Sequence, residues 1–244
     1  MSSKVTNFIA IVIALVSLVL GGGSLLWFGL FLLAGSFSVL DFGLGLPGLL
    51  CVNAGLSLFF FAQHSIMLRK GFRARVEKII PPPYFATFFG ISSALALLVV
   101  LIGWQESSYV LFSAEGVYRG AFRLLFLFSV AGFLWAAHSL QSFDSFGGKT
   151  LLRHVNNRQP KAVPLTVQGP YKLVRHPLYF LSLLMIWSSP DISADRLLFN
   201  VLWSVWIVIA TRLEEKDLVA EFGDAYRNYQ KEVPMLIPWK KKSR

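Results

Sequence analysis

Side chains able to do chemistry sit at the ends of apolar runs. In GPYKLVRHPLYF, Gly169 to Phe180, Arg175 and His176 stand directly before one such run, and Glu214-Glu215 follow the next. Gln63-His64 close an earlier run, and His138 closes another. A carboxylate or an imidazole can accept a proton near neutral pH, and a guanidinium can hold or stabilise an anion. Such groups are costly at membrane depth unless paired or functional, so their convergence marks a site. The structural alternatives are equally concrete. Arg175 could pair with Glu214 or Glu215 to fasten two helices, and His64 or His138 could be interfacial hydrogen-bonding residues. The single cysteine, Cys51 in GLLCVNAG, can form neither an internal disulfide nor a thiolate metal cluster and reads as a small buried hydrophobe. No metal site is expected.

Positioning these residues falls to membrane helices. The chain is 55% hydrophobic and 15% charged, where a soluble domain carries nearer a quarter charged residues. Six apolar segments meet or approach the roughly 20 residues that one crossing needs: 8–35, 45–66, 84–103, 120–142, 178–190 and 197–212. The fifth rises only about 20 Å. It reads with the sixth as a tight hairpin turning at Pro190-Asp191-Ile192-Ser193, its start able to extend into the preceding motif. The hairpin would bring Arg175 beside Glu214 or Glu215. Beyond Glu215, Leu218, Phe222, Tyr226 and Tyr229 form one apolar face with Lys216, Asp217, Arg227 and Lys231 off it. Gly223-Asp224 reads as a stop and a fresh start, giving two short amphipathic helices.

The net charge of +10 lies between apolar spans rather than on one continuous face, which favours lipid head groups over nucleic acid as the partner. With the N-terminus cytoplasmic and six alternating spans, 20 of the 23 Lys and Arg face inside, leaving Arg119, Arg123 and Arg196. Both termini are then cytoplasmic. The first apolar run exceeds 25 residues and reads as an uncleaved span rather than a signal peptide. Gly21-Gly22-Gly23-Ser24 inside it lacks the Lys-Ser/Thr of a phosphate loop and reads as a helix-packing feature. Pro81-Pro82-Pro83 marks a stiff entry to the third span, and Lys240–Arg244 a solvated cluster near anionic head groups.

GPYKLVRHPLYF, followed by RLEEKDLVAEFGDAYRNYQKEVPMLIP, resembles the isoprenylcysteine carboxyl methyltransferase and phospholipid methyltransferase superfamily. FFFAQHSIMLRKGFR and HSLQSFDSFG are similar to the branch that holds nurim and the bacterial methanethiol S-methyltransferases. The pattern departs at SLQSFD, where that branch would carry Asn-His before Phe-Asp. The resemblance implies an all-α integral membrane protein of about six transmembrane helices, with a C-terminal helical hairpin and amphipathic cytoplasmic helices. It implies one membrane domain over 1–244, with four transmembrane helices in 1–142 and a cofactor-binding methyltransferase core in 143–239. S-adenosylmethionine is the implied cofactor, and no G-x-G-x-x-G follows a strand. Tyr171, His176, Pro177, Leu178, Tyr179 and Glu215 would line it. Arg175 and Glu214 would face the reacting group with His176, and His64 and His138 the substrate. The implied function is S-methylation of a small apolar thiol such as methanethiol, in a bacterial inner membrane. The alternatives are a lipid or prenylcysteine carboxylate as substrate, or a non-enzymatic nurim-like protein.

Overall fold

The computed structural model describes residues 3–140, 144, 146–158 and 165–239, with side chains from residue 7 onward. The readings of the basic tail 240–244 and of Gln141-Ser142-Phe143 lie outside the described residues. The described elements are α1 (Ser3–Ala34), α2 (Leu46–Met67), α3 (Lys70–Val76), α4 (Pro82–Gly103), β1 (Val110–Ser113), α5 (Gly116–Ser139), α6 (Gly148–Val155), a 3₁₀ turn (Gly169–Lys172), α7 (Pro177–Trp187), β2 (Asp191–Ser193), α8 (Ala194–Phe222) and α9 (Asp224–Glu232). The protein is an all-α integral membrane protein. Within α1, and in α2, α4, α5 and α8, lie five stretches long and apolar enough to cross a membrane. Helices suit lipid because they satisfy their own backbone polar groups. Large apolar side chains such as Val19, Leu26, Phe59, Leu124 and Phe128 stay exposed, as lipid-facing residues do. The chain forms two compact units, 1–107 with 144–162 and 108–143 with 163–244.

In the first unit α4 packs against both α1 and α2, and α6 packs on α1 and α4. Small residues on α4, among them Gly90, Ala94 and Ala96, are buried and let the helix backbones approach. At Gly21 of α1 an added Cβ would lie 2.2 Å from the Phe146 ring, so this glycine permits the contact, whereas Gly22 and Gly23 face open space. Pro82 and Pro83 form the first turn of α4, where a missing N–H costs nothing. The Asp144 carboxylate accepts the backbone N–H groups of Lys149 and Thr150 at 3.1 and 2.7 Å, starting α6. Leu151 then buries against Ala10 and Ala14.

In the second unit α5 packs on α7, and the turn Gly169–Lys172 rests on α5. Gly169 has φ +54°, and a Cβ there would lie 2.7 Å from Ser139 Oγ, in the last turn of α5. Near the opposite end of α5, β1 pairs antiparallel with β2, Val110 opposite Ser193 and Ser113 opposite Asp191. Residues 169–193 therefore run back along α5 from its end to its start. The Arg119 guanidinium holds Asp191 bidentately at 2.6 and 2.8 Å, fixing this ribbon to the first turn of α5. From β2 the chain enters α8, whose 29 residues extend about 44 Å. Glu215 lies 21 residues after Ala194, roughly 32 Å along the axis and thus about one hydrocarbon thickness away.

Several expectations are corrected. The helix that carries the sixth apolar segment does not end with it at residue 212. Arg212–Phe222 continue α8 without a break, because Leu, Glu, Lys and Ala are good helix formers even where they are no longer apolar. One helix follows the stop at Gly223 (φ +57°), and the supposed first amphipathic helix is the last part of α8. α7 starts at Pro177, one residue before 178 and within the motif, whose first residues, Gly169–Lys172, form a separate 3₁₀ turn. The bend at 190–193 contains β2. Cys51 is exposed rather than buried, its apolar surroundings being those of an outward-facing position on a membrane helix. α3 and α6 were not anticipated.

Candidate active site

The site begins with the residue ahead of a proline. Steric conflict with the pyrrolidine ring keeps the preceding residue out of the helical region, and His176 accordingly has φ −123° and ψ 64° as the cap of α7. Pro177 occupies the first helical position, where its fixed φ suits the turn. The backbone N–H groups of Arg175 and His176 donate to the carbonyls of Pro234 and Met235 at 2.9 and 3.1 Å. The Val233–Leu236 segment is thereby laid alongside the motif, with Val233, Pro234 and Leu236 buried. Tyr226, Tyr229 and Val233 cluster with Leu165, Leu218, Val219 and Phe222, so the amphipathic face read in the sequence is a packed one. The Tyr229 hydroxyl donates to the Tyr171 carbonyl, tying α9 to the 3₁₀ turn.

Glu215 is the hub. Its Oε1 accepts from Arg175 Nε at 2.8 Å, from His176 Nε2 at 2.8 Å and from the Tyr226 hydroxyl at 2.6 Å. Its Oε2 accepts from Arg175 Nη2 at 2.7 Å and from Gln230 Nε2 at 2.6 Å. The fork of Arg175 is engaged on all sides, since its Nη1 also donates to the carbonyls of Gln230 and Val233. Burial alone would lower the Arg175 pKa, but the bonded carboxylate of Glu215 more than reverses this, and the guanidinium stays charged. Burial, and then the bond to Glu215, raise the Tyr226 pKa, so its hydroxyl remains a donor. Burial likewise raises those of Tyr171 and Tyr229.

Glu214 differs. Its Oε2 is buried yet has no hydrogen-bond partner among the described residues. It lies 3.8 Å from His176 Nδ1, too far for a hydrogen bond. The Nε2–H tautomer of His176 is inferred from its bond to Glu215. With Nε2 as the donor, Nδ1 and Glu214 Oε2 are two acceptors 3.8 Å apart. Tyr179 stacks on His176 with ring centroids 5.7 Å apart, and its hydroxyl is near Glu214. Leu178 packs with Ala136, Tyr171 and Leu181. The arrangement thus offers one unsatisfied carboxylate oxygen and a ring face, beside a second carboxylate that is fully occupied.

Two further candidates, His138 and His64, were expected at the substrate. His138 is exposed in the last turn of α5. His64 belongs to the first unit, where its ring is close to those of Phe60 and Phe89 and its Nδ1 is 3.2 Å from Ser93 Oγ. The structure brings Tyr171, Arg175, His176, Pro177, Leu178, Tyr179, Glu214 and Glu215 together within the second unit.

The family profile described as NnrU protein matches residues 52–219. The chain belongs to the NnrU family. It is 36% identical over 197 residues to a methanethiol S-methyltransferase of Pseudomonas sp. (strain GM41(2012)), covering 80% of this chain and 76% of that one. A methanethiol S-methyltransferase of Crocosphaera subtropica (strain ATCC 51142 / BH68) is 32% identical over 191 residues, covering 78% and 75%. Nurim of Sus scrofa is 28% identical over 182 residues, covering 68% and 66%. No solved structure matches.

In this NnrU-family chain the sequence reading missed Tyr226 and Gln230 as partners of Glu215. Both lie beyond the break at Gly223, so no single helical register joins them to Glu215. The available signal was the two hydroxyl-bearing side chains, Tyr226 and Tyr229, on an otherwise apolar face.

Proposed function

We propose that the protein is an integral membrane S-adenosylmethionine-dependent methyltransferase that S-methylates a small apolar thiol such as methanethiol, giving a sulfide. The carrying observation is Glu214 Oε2, a buried carboxylate oxygen without a partner beside a network in which every lone pair of Glu215 is used. A buried acceptor left open costs stability, so its retention fits a ligand that brings a cation or a proton. The stacked rings of His176 and Tyr179 would suit the cofactor, whose sulfonium is cationic, and Glu214 Oε2 is left for the substrate's proton. Tyr171, His176, Pro177, Leu178 and Tyr179 would line it, and Glu215 would hold His176 and Arg175 in place. When bound, S-adenosylmethionine supplies an electrophilic methyl group.

The chain's own part is to exclude water, orient the sulfur and take its proton. Glu214 Oε2 accepts the proton released by the thiol. His176, fixed through Nε2 by Glu215, presents Nδ1 beside Glu214 Oε2. Tyr226, Tyr229 and Val233 are tied to Glu215, Tyr171 and Arg175 and would limit water at the buried pair. Arg175 acts through Glu215 as a positioning residue. Its engaged fork disfavours a carboxylate substrate, which would need a free cation to hold it. The thiol reading is therefore preferred over the lipid or prenylcysteine carboxylate.

Calorimetric titration with S-adenosylmethionine tests the cofactor assignment. Saturable binding in the wild type that is weakened in His176→Ala supports it. No binding to a folded wild-type protein would leave a nurim-like scaffold.

A further inference from the structure

α8 carries a second buried polar group that the carboxylate site does not use. Asp195, Arg196 and Asn200 are all buried on the part of the helix nearer Ala194. Asn200 is 0% exposed, and neither its Nδ2 nor its Oδ1 has a hydrogen-bond partner among the described residues. Its neighbours in sequence are aromatic and cationic. Phe199 stacks on Trp203 with centroids 4.7 Å apart, and the Arg196 guanidinium carbon is 5.8 Å from the Phe199 ring. Asn200 precedes Glu215 by fifteen residues, about 22 Å along the helix axis, so it belongs to a different place.

An amide buried in a membrane-crossing helix loses the hydration of both its donor and its acceptor. Leucine has nearly the same shape and would fill the position without that cost. Buried polar groups left open by the protein are ordinarily satisfied by small bound molecules.

We propose that Asn200 anchors a separate buried subsite for a small neutral molecule that both donates and accepts, in the class of water or a small thiol. The ligand's O–H or S–H would donate to Oδ1, and Nδ2 would donate to a ligand lone pair. A neutral ligand fits because the nearby charges, Asp195 and Arg196, are of opposite sign and the amide is uncharged. The subsite stands independently of the role given to Glu214.

Thermal unfolding of the full chain in lipid nanodiscs tests this, for wild type and Asn200→Leu, with and without ethanethiol. If the amide is satisfied by a ligand, the leucine variant loses those bonds and its Tm falls by about 2–4 °C or more. A rise in Tm with ethanethiol in the wild type that Asn200→Leu lacks assigns the site to thiols. A lower Tm in the variant with no difference in thiol response assigns it to water. A variant at least as stable as wild type, with the same thiol response, overturns the proposal. If Asn200→Leu does not fold, an experimental density map of the wild type decides. Density within hydrogen-bonding reach of the amide supports the subsite, and a bare amide overturns it.

Discussion

Adjacent carboxylates on α8 differ in what surrounds them, Glu215 accepting from Arg175, His176, Tyr226 and Gln230 while Glu214 keeps Oε2 open. Neighbours on a helix point about 100° apart, so only one of them can meet the arginine fork, and helical phase chooses which. The sequence brought Arg175 near this pair but left both glutamates as partners, because spacing across a hairpin does not fix that phase. Glu215→Gln leaves a buried guanidinium without its counter-charge. It should cost about 3–5 kcal/mol, the scale of breaking one side of a buried ion pair. Chemical denaturation of the purified protein in detergent would read this as a fall in midpoint. A glutamine variant as stable as wild type would remove Glu215 from its place as hub. Arg175 and His176 stood out by residue type and place in the chain, whereas Tyr171, Pro177, Leu178 and Tyr179 were named only through the family resemblance. Gln230 was not, since a lone glutamine on an exposed-looking helix carries no local signal.

α8 shows why element ends are harder to read than elements. Its apolar residues stop near Arg212, but the helix continues to Phe222, since hydropathy marks where lipid ends and not where backbone hydrogen bonding ends. The β1–β2 ribbon was invisible for another reason. Its two strands have four and three residues and lie about eighty positions apart, so neither has a pattern without the other. The ribbon also carries a titratable contact. The hydrogen bonds from Arg119, opposed by partial burial and helped by Ser113, hold the Asp191 carboxyl below its usual range. A depressed folded pKa means that the contribution is present above the unfolded value of about 4 and is lost as pH falls through the folded one. Because the pair is well exposed, the effect should be small. Lowering the pH from 6 to 3 should therefore narrow the Tm gap between wild type and Asp191→Asn. A gap that stays constant or widens on acidification would show that the ribbon does not depend on this ion pair.

At the scale of the molecule, five long apolar helices make the chain an integral membrane protein, and α7, at 11 residues, is the short member. The β1–β2 pairing places the α7–α8 turn near the start of α5, while Gly169 rests against its end. We propose that the α7–α8 pair returns the chain to the side it left. With that return the spans alternate six times, 20 of the 23 Lys and Arg would lie on one side, and both termini would be cytoplasmic. A reporter active only outside the membrane, fused after Arg244, should stay silent, while the same reporter inserted between α4 and α5 should be active. External activity at the C-terminus would reverse the orientation. Glu214 is the group proposed to take the thiol proton. The most direct test is single-turnover conversion of methanethiol to dimethyl sulfide, measured in the headspace above purified protein with saturating S-adenosylmethionine. Wild type should form the sulfide. Glu214→Gln should bind the cofactor and fold normally yet lose on the order of 100-fold in rate, as removal of a general base does. No sulfide from folded, cofactor-binding wild type, or a glutamine variant turning over at the wild-type rate, would contradict the account.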